Sequence, residues 1–204
     1  MKRRRSVILT WIITYIIVWC VPFGFSVMNY YSAERQLQNN IDEINRLAVK
    51  SAANEIVNIF LQQSKSIDEF AQEDLFKSLQ TMSSTEFYGH RDQARAFVDV
   101  LSKMRTYNEY IDNVSVIFQQ LDTVISSGGF CQKNSFWQAY LQDNDLSEEG
   151  FQKVNSEFHT GTFLRLKRKS SIGNSILFVK SIEGRGAYGY QNVFVIMNEK
   201  LMLN

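Results

Sequence analysis

An uncharged apolar run near the N-terminus restricts where this chain can fold. Val7–Val27 reads VILTWIITYIIVWCVPFGFSV and contains no charged residue. At about 1.5 Å per residue, a helix over these positions spans about 30 Å, the thickness of the hydrocarbon core of a bilayer. The run is longer than the apolar core of a cleaved signal peptide, and a poor cleavage site follows it. We therefore expect an uncleaved membrane helix over residues 7–28.

The charges that flank this run predict its orientation. Lys2–Arg5 precede it directly, whereas the first charges after it, Glu34 and Arg35, cancel. Cationic flanks stay on the cytoplasmic side of a membrane. We expect a single-pass protein of the cell membrane, with residues 1–6 as a cytoplasmic basic tip and the bulk of the chain extracellular.

Apart from its basic tip, the chain carries a small net negative charge. Four of the 22 basic residues lie in the tip, so 18 remain against 21 acidic residues in the rest of the chain. Nucleic-acid-binding domains carry a basic face, so no nucleic acid is expected as a partner. Cys20 and Cys131 are expected to be unpaired, because one lies inside the apolar run and the other far beyond it.

Helical spacing continues beyond the apolar run. Apolar residues follow three- and four-residue steps from 29 to about 66, without Gly or Pro, and a second helical stretch follows at 67–82. Together these predict a long helical stalk over 29–82. Its stripe of Leu37, Ile41 and Ile44 resembles a coiled-coil seam and predicts a homodimer in which two such helices pair.

The periodicity changes after the break at Ser83-Ser84-Thr85. A third helix is predicted at about 91–107, and the pattern then becomes that of strands. We expect an α+β domain over 83–204 in which the long helix packs on one face of an antiparallel sheet of about five strands. The predicted strands are 111–119, 123–127, 162–167, 175–182 and 191–197, with a short helix at 136–141 and a polar loop at 143–149.

Residues 184–189, GRGAYG, match the GxGxxG spacing of dinucleotide-binding loops. That motif requires a helix after the glycines, so that the helix N-terminus faces the pyrophosphate. A strand pattern follows here, so a hairpin loop is the better interpretation and no cofactor is expected.

Catalytic residues are not evident. His90 and His159 lie in polar stretches where we expect them to be exposed, and no serine or cysteine stands in a recognisable nucleophile setting. The acidic run at 143–149 lacks the spacing of a calcium loop. We expect neither an enzyme nor a metal site.

Two groups of residues are candidates for ligand contact. Phe136, Trp137 and Tyr140 offer flat apolar area with polar handles, which suits a small-molecule site, although they could equally close the core of the sheet. Arg165 belongs to a basic cluster at 165–169 that either meets a ligand or forms a solvated hairpin tip.

Several segments, taken in order, resemble a known family. The basic tip, membrane helix and long helix precede YNEYIDNVSVIF (107–118), VISSGG (124–129), FWQAY (136–140) and ILFVKSI (176–182). This order resembles the Cache-type extracellular sensor region of bacterial membrane-bound AraC-type transcriptional regulators and sensor histidine kinases. The resemblance covers almost the whole chain and rests on patterns.

The resemblance implies a PAS-like sheet with a ligand pocket that signals through the membrane helix to a cytoplasmic output. Amino-acid-binding members carry an arginine just before a Trp-Tyr pair and an aspartate on a later strand. Phe136-Trp137-Gln138 and Tyr190-Gln191-Asn192 lack these residues, so an amino-acid ligand is not expected. Such proteins also continue into an output module, so the sequence is expected to be truncated or part of a longer gene.

The sequence thus predicts the signal-input domain of a membrane protein that senses a small molecule. A membrane-tethered protein for interaction or assembly, in which the aromatic residues bind another protein, is the alternative.

Overall fold

The computed structural model describes residues 2–169, 173–184 and 189–202. The chain forms two compact units, Met1–Glu55 and Ile56–Asn204. Helix α1 (Lys2–Ala71) contributes to both.

The first unit is the N-terminal part of α1, and its apolar side chains have no protein cover. Trp19 is 74% exposed and Phe23 is 72% exposed. An apolar surface of this extent is unfavourable in water and favourable in a bilayer. Among the described residues, one helix, Ile8–Ala71, is long and apolar enough to cross a membrane by length and composition, a criterion that N-terminal signal sequences also meet.

The end of α1 lies beyond residue 66, where the second predicted helical stretch was expected to follow the first. The helix continues to Ala71, because nothing in the sequence before that point caps or breaks it. A tight turn follows, in which the backbone N–H groups of Gln72 and Glu73 donate to the carbonyls of Glu69 and Phe70. Helix α2 (Asp74–Thr81) then begins, so the predicted second helix is two separate pieces.

Helices α3 (Ser84–Gly89) and α4 (Arg91–Thr106) precede the sheet. Ser83, expected only to break the helical pattern, also caps α3 in a reciprocal capping box with Glu86. The backbone N–H of Ser83 holds the pKa of the Glu86 carboxyl below its usual value. Helix α4 confirms the predicted third helix and buries Ala94, Phe97 and Leu101.

The sheet has six antiparallel strands, and the prediction of about five was wrong by one. Their order is β3-β2-β1-β6-β5-β4, so the first and last strands in the chain are neighbours at the centre. The strands are β1 (Ile111–Phe118), β2 (Thr123–Ser126), β3 (Gly129–Gln132), β4 (Thr162–Lys167), β5 (Asn174–Glu183) and β6 (Tyr190–Asn198).

The additional strand is β3. The glycine pair Gly128-Gly129 follows β2, but the sheet does not end there: Ser126 pairs with Gly129 and the chain turns between them. Gly129 has φ +135°, a conformation that side chains disfavour, so the glycine starts a new strand instead of ending the sheet.

Helices cover both faces of the sheet. The face that carries Val116, Phe178 and Val193, here called the first face, packs against the last turns of α1 and against α2, α3 and α4. The face that carries Ile117, Leu177 and Phe194, here called the second face, packs against the connection between β3 and β4. This architecture confirms the predicted α+β class and the packing of the long helix on one face.

Lys180 holds α1 against the first face. Its ammonium donates to the hydroxyl of Ser64 at 2.7 Å and to the carboxylate of Asp68 at 2.6 Å. The Lys180 side chain is only 13% exposed, whereas that of Asp68 is 62% exposed, so the pair is shielded from water on the lysine side only. The ion pair therefore adds a polar contact between α1 and the sheet to the apolar packing of Ile67 and Phe70.

The connection between β3 and β4 is helical over most of its length. It contains α5 (Lys133–Phe136), a π-helical turn (Trp137–Leu141) and α6 (Glu148–Ser156). The predicted short helix at 136–141 lies here. Helix α6 begins within the predicted polar loop at 143–149, and Ser147 caps it by accepting a hydrogen bond from the Gly150 N–H at 3.0 Å.

Candidate functional site

The predicted aromatic group lies on the π-helical turn. The turn is closed by a hydrogen bond from the Gln142 N–H to the Trp137 carbonyl, at 2.9 Å. Such five-residue steps are rare and occur frequently at functional sites, since they are less stable than regular α-helix. The turn packs on the second face of the sheet.

Each of the three aromatic residues has a distinct contact. Phe136 is fully buried, with its ring 5.2 Å from that of Tyr140 and 6.5 Å from that of Phe194. The Trp137 indole N–H donates to the Leu146 carbonyl at 2.9 Å. Closing the core was the alternative interpretation of these residues; it describes the fully buried Phe136, and the partly buried Trp137 and Tyr140 also pack against this core. Ligand contact by this group stays a prediction.

Tyr140 extends from the turn to the hairpin of β2 and β3. A Cβ atom built on Gly128 would lie 3.0 Å from the Tyr140 hydroxyl oxygen and 3.9 Å from Ser126 Oγ. The glycine therefore gives room for the Tyr140 phenol at this hairpin.

Arg165 does not join the aromatic residues. It pairs with Ile176 across the β4–β5 ladder, and Ile176 packs on the first face, whereas Leu164 and Leu166 pack on the second. Because successive side chains alternate between faces, Arg165 lies on the side of the sheet opposite the π-helical turn. Its guanidinium binds Glu199, with Nε 2.7 Å from Oε1, and these hydrogen bonds lower the pKa of that carboxyl.

Two further residues of the basic cluster are also paired with acids. Arg168 binds the carboxylate of Asp112 and donates to the Ser175 hydroxyl at 2.6 Å. Lys169 lies 3.5 Å from the carboxylate of Asp145. Internal pairing therefore accounts for these cations without an anionic ligand.

Beneath the π-helical turn the second face carries a row of buried polar residues, Asn113, Ser115 and Ser126, here called the polar strip. Asn113 is 2% exposed, and Ser115 is fully buried. Ser115 pairs directly with Ser126 across the β1–β2 ladder, and Asn113 lies two residues before Ser115, so all three share one face. A β-bulge lies between Ile111 and Asn113.

A further buried polar residue, Asn144, lies in the connection between β3 and β4. It follows the π-helical turn, is 7% exposed, and donates from Nδ2 to the Tyr140 carbonyl at 2.6 Å. The neighbouring Asp143 carbonyl accepts from the Lys169 N–H at 2.8 Å, while Arg168 binds Asp112, the residue before Asn113. These links place Asn144 and Asn113 at the same end of the second face.

Two carbonyl oxygens at this end have no hydrogen-bond partner within the described residues. They are Oδ1 of Asn113 and Oδ1 of Asn144; Gln63 Oε1, on α1, is a third such atom elsewhere. A buried polar atom left without a partner costs about 1–3 kcal/mol. Folded proteins retain few of these atoms, and each one requires an explanation, such as a bound water, an ion or a functional role.

Sequence reasoning did not identify this polar strip. Asn113 stands within the apolar strand IDNVSVIF, and Ser115 follows at the strand period of two. The sequence signal for this strip was the presence of polar residues at inward-facing positions of a buried strand.

The remaining sequence motifs have structural explanations. Residues 185–188 of the glycine motif lie outside the described residues; β5 precedes the motif and its antiparallel neighbour β6 follows it, as in a hairpin. His90 is exposed, but His159 is 7% exposed, so the expectation of an exposed side chain was wrong there. Its ring nitrogens lie 2.7 Å from the Val154 carbonyl and 3.2 Å from the Thr162 hydroxyl, so the histidine joins α6 to the β4 region.

In the parts of the chain that the structure describes, no three His, Cys, Asp or Glu residues gather in a way that would hold a metal ion. Both cysteines are free thiols.

Two open clefts lie on the first-face side of the second unit. One, of about 530 Å³, is lined by residues of α1, α2 and β5, including Asp68, Lys77 and Lys180. The other, of about 250 Å³, is apolar and includes Phe60, Leu61 and Phe163.

No protein-family model, curated protein or solved structure matches this chain.

Proposed function

We propose that the chain is the membrane-anchored input domain of a bacterial signalling or transcription-regulatory protein, and that it binds a small molecule outside the cell. In this proposal residues 7–28 cross the membrane with the N-terminus in the cytoplasm. The unit Ile56–Asn204 binds the ligand between the polar strip and the π-helical turn.

The observation that carries the proposal is the pair of unpartnered oxygens on Asn113 and Asn144. They lie at the same end of the second face, next to the π-helical turn that bears Trp137 and Tyr140. A ligand that supplied the missing hydrogen bonds would recover the desolvation cost of both groups, and binding would then stabilise the fold. The less stable π-helical geometry of the turn suits a segment that adjusts when the ligand enters.

Helix α1 suits the role of relay in this proposal. Its last turns pack on the first face, and the same helix contains the apolar run. A ligand shifts an equilibrium between two arrangements of a domain only by its difference in affinity for them. Binding at the second face would therefore act on α1 through the sheet, which lies between the ligand site and the last turns of α1.

A thermal-stability comparison tests the binding site without knowledge of the ligand. Asn113→Leu replaces an unpartnered buried amide by an apolar group of similar size, so it should stabilise the ligand-free protein by about 1–3 kcal/mol. For a protein of this length we expect a rise in Tm of about 2–4 °C per kcal/mol. Stability above that of the wild type is expected where a residue serves binding instead of folding.

The matched control is Asn155→Leu. Asn155 is similarly buried, at 5% exposure, but its Oδ1 accepts from Gln119 Nε2 at 2.9 Å. This variant should have a lower Tm than the wild type. If both variants lower the Tm equally, Asn113 has a structural partner in solution and the proposed site is wrong.

The apolar cleft supports a second candidate function, that of a membrane-tethered interaction protein. Leu61 is 63% exposed and Phe163 is 44% exposed, and the Phe163 ring lies 3.8 Å from that of Phe60. Exposed aromatic and aliphatic groups of this kind are typical of protein contact surfaces. This function would be favoured if Asn113→Leu failed to stabilise the protein.

A further inference from the structure

We infer that the ligand of the proposed site is an uncharged molecule rich in hydrogen-bond donors, such as a sugar or polyol, and not a carboxylate or phosphate. The inference rests on the proposed function and specifies the chemistry of the same site.

The first argument is that the polar groups of the site offer acceptors. The orientation of the Asn144 amide is fixed, because its Nδ2 donates to the Tyr140 carbonyl at 2.6 Å and leaves Oδ1 as the free atom. Asn113 likewise has a free Oδ1. A carbonyl oxygen only accepts hydrogen bonds, so the ligand must donate them, and an ionised carboxylate has no proton to give.

The serines of the polar strip point to the same chemistry. The Ser115 hydroxyl donates to the Phe194 carbonyl at 3.3 Å, and the Ser126 hydroxyl donates to the Gly129 carbonyl at 3.0 Å. Each hydroxyl has a single proton, so what remains on these oxygens is acceptor capacity. The Ser126 oxygen already accepts from the Gly128 N–H at 3.3 Å, so the two serines present remaining acceptor capacity and no free hydroxyl proton.

The charges around the site argue against an ionic ligand. Arg168 is bound to Asp112 and Ser175, and Lys169 is bound to Asp145 and to the Gln142 carbonyl. Burying an ion is costly unless a counter-charge meets it. An anionic ligand would have to break one of these pairs, and the acids that a cationic ligand would use are engaged in the same pairs.

The aromatic residues near the site also suit a sugar or polyol. Trp137 and Tyr140 have their polar atoms directed to the Leu146 carbonyl and towards the β2–β3 turn, respectively. Their rings supply flat apolar area. A sugar ring or cyclic polyol combines an apolar face with a rim of hydroxyl donors, which fits acceptors on one side and aromatic area on the other.

A paired panel of probes tests this inference on the full chain in detergent. Glucose, galactose, sorbitol and inositol are compared with glucuronate, galacturonate and gluconate by thermal shift. The double variant Asn113→Leu/Asn144→Leu is run in parallel, because polyols also stabilise proteins non-specifically by exclusion from their surface. We expect at least one neutral probe to raise the wild-type Tm by about 5–10 °C at a hundredfold excess over its Kd, without effect on the variant.

Two outcomes would overturn the inference. The first is that a carboxylate probe raises the Tm of the wild type more than its neutral counterpart does, and leaves the Tm of the double variant unchanged. This result would refute the ligand class while supporting the site. If no probe separates wild type from variant, the inference is wrong, whereas the comparison of Asn113→Leu with Asn155→Leu still decides the proposed function independently.

Discussion

Replacing Phe70 by alanine is expected to lower the free energy of unfolding of the Ile56–Asn204 unit by about 3–5 kcal/mol. Phe70 belongs to the last turn of α1 and is 3% exposed. Its ring lies 5.6 Å from that of Phe76 and 5.7 Å from that of Phe97, with edge-to-face geometry in both pairs. Truncation removes both ring contacts and leaves a cavity among α1, α2 and α4. Denaturant unfolding of the full chain in micelles measures the loss.

The matched control for this prediction lies on the same helix. Leu61 is 63% exposed, so Leu61→Ala should change the free energy of unfolding by no more than about 0.5 kcal/mol. A loss below about 1 kcal/mol for Phe70→Ala would mean that α1 is not part of the folded core. The role of α1 as a relay would then have no basis.

Replacing Ile41 and Ile44 together by aspartate is expected to abolish pairing between chains. With Leu37, these residues form the predicted seam, and within the first unit Ile41 is 47% exposed and Ile44 is 64% exposed. An apolar stripe at coiled-coil spacing is stable in water when a second helix covers it, and two added carboxylates on each helix repel at such a contact. Disulfide formation through Ser51→Cys, in a background with both native cysteines replaced by serine, measures pairing in membranes.

The control for this experiment adds the same two charges to another side of α1. Asn39→Asp together with Val49→Asp alters exposed positions away from the seam and should leave the disulfide yield unchanged. If the Ile41/Ile44 variant still crosslinks as the wild type does, the homodimer through this stripe is refuted.

The sequence predicted those elements whose apolar spacing is regular. Helix α4 and strands β1, β4, β5 and β6 lie within about two residues of their predicted bounds, because each has one buried face with a period near 3.6 or 2. The predicted second helix shows the limit of this signal. Ile67 and Leu79 both face the core, but a turn at Gln72 and Glu73 separates their helices, and no Gly or Pro marks that turn.

The elements that were not predicted are short or lack a regular pattern. Strand β3 has only four residues and lies at the sheet edge after two glycines that resemble a terminator. Helix α6 contains Gly150 and begins in an acidic stretch that resembles a loop. Tertiary packing on the second face determines both elements, since their local preferences are weak.

The candidate site was predicted in part. The sequence drew attention to Trp137 and Tyr140, because their rings offer flat apolar area with a polar handle, a property that is evident from residue type alone. It grouped Arg165 with them, and the strand register places that residue on the opposite face. Asn113 and Asn144 were missed, since the absence of a hydrogen-bond partner is a property of the packed structure.

The central proposal is an outward-facing domain tethered by α1, and cysteine labelling in intact cells tests it most directly. Cys131 is half-buried, and burial raises the pKa of its thiol, so it is a poor reporter. Both native cysteines are therefore replaced by serine, and one cysteine is introduced at the exposed Lys153 on α6. A membrane-impermeant maleimide should label this cysteine in intact cells, with the labelled chain remaining in the membrane fraction. Labelling only after lysis, or recovery of the chain in the medium, would contradict the account.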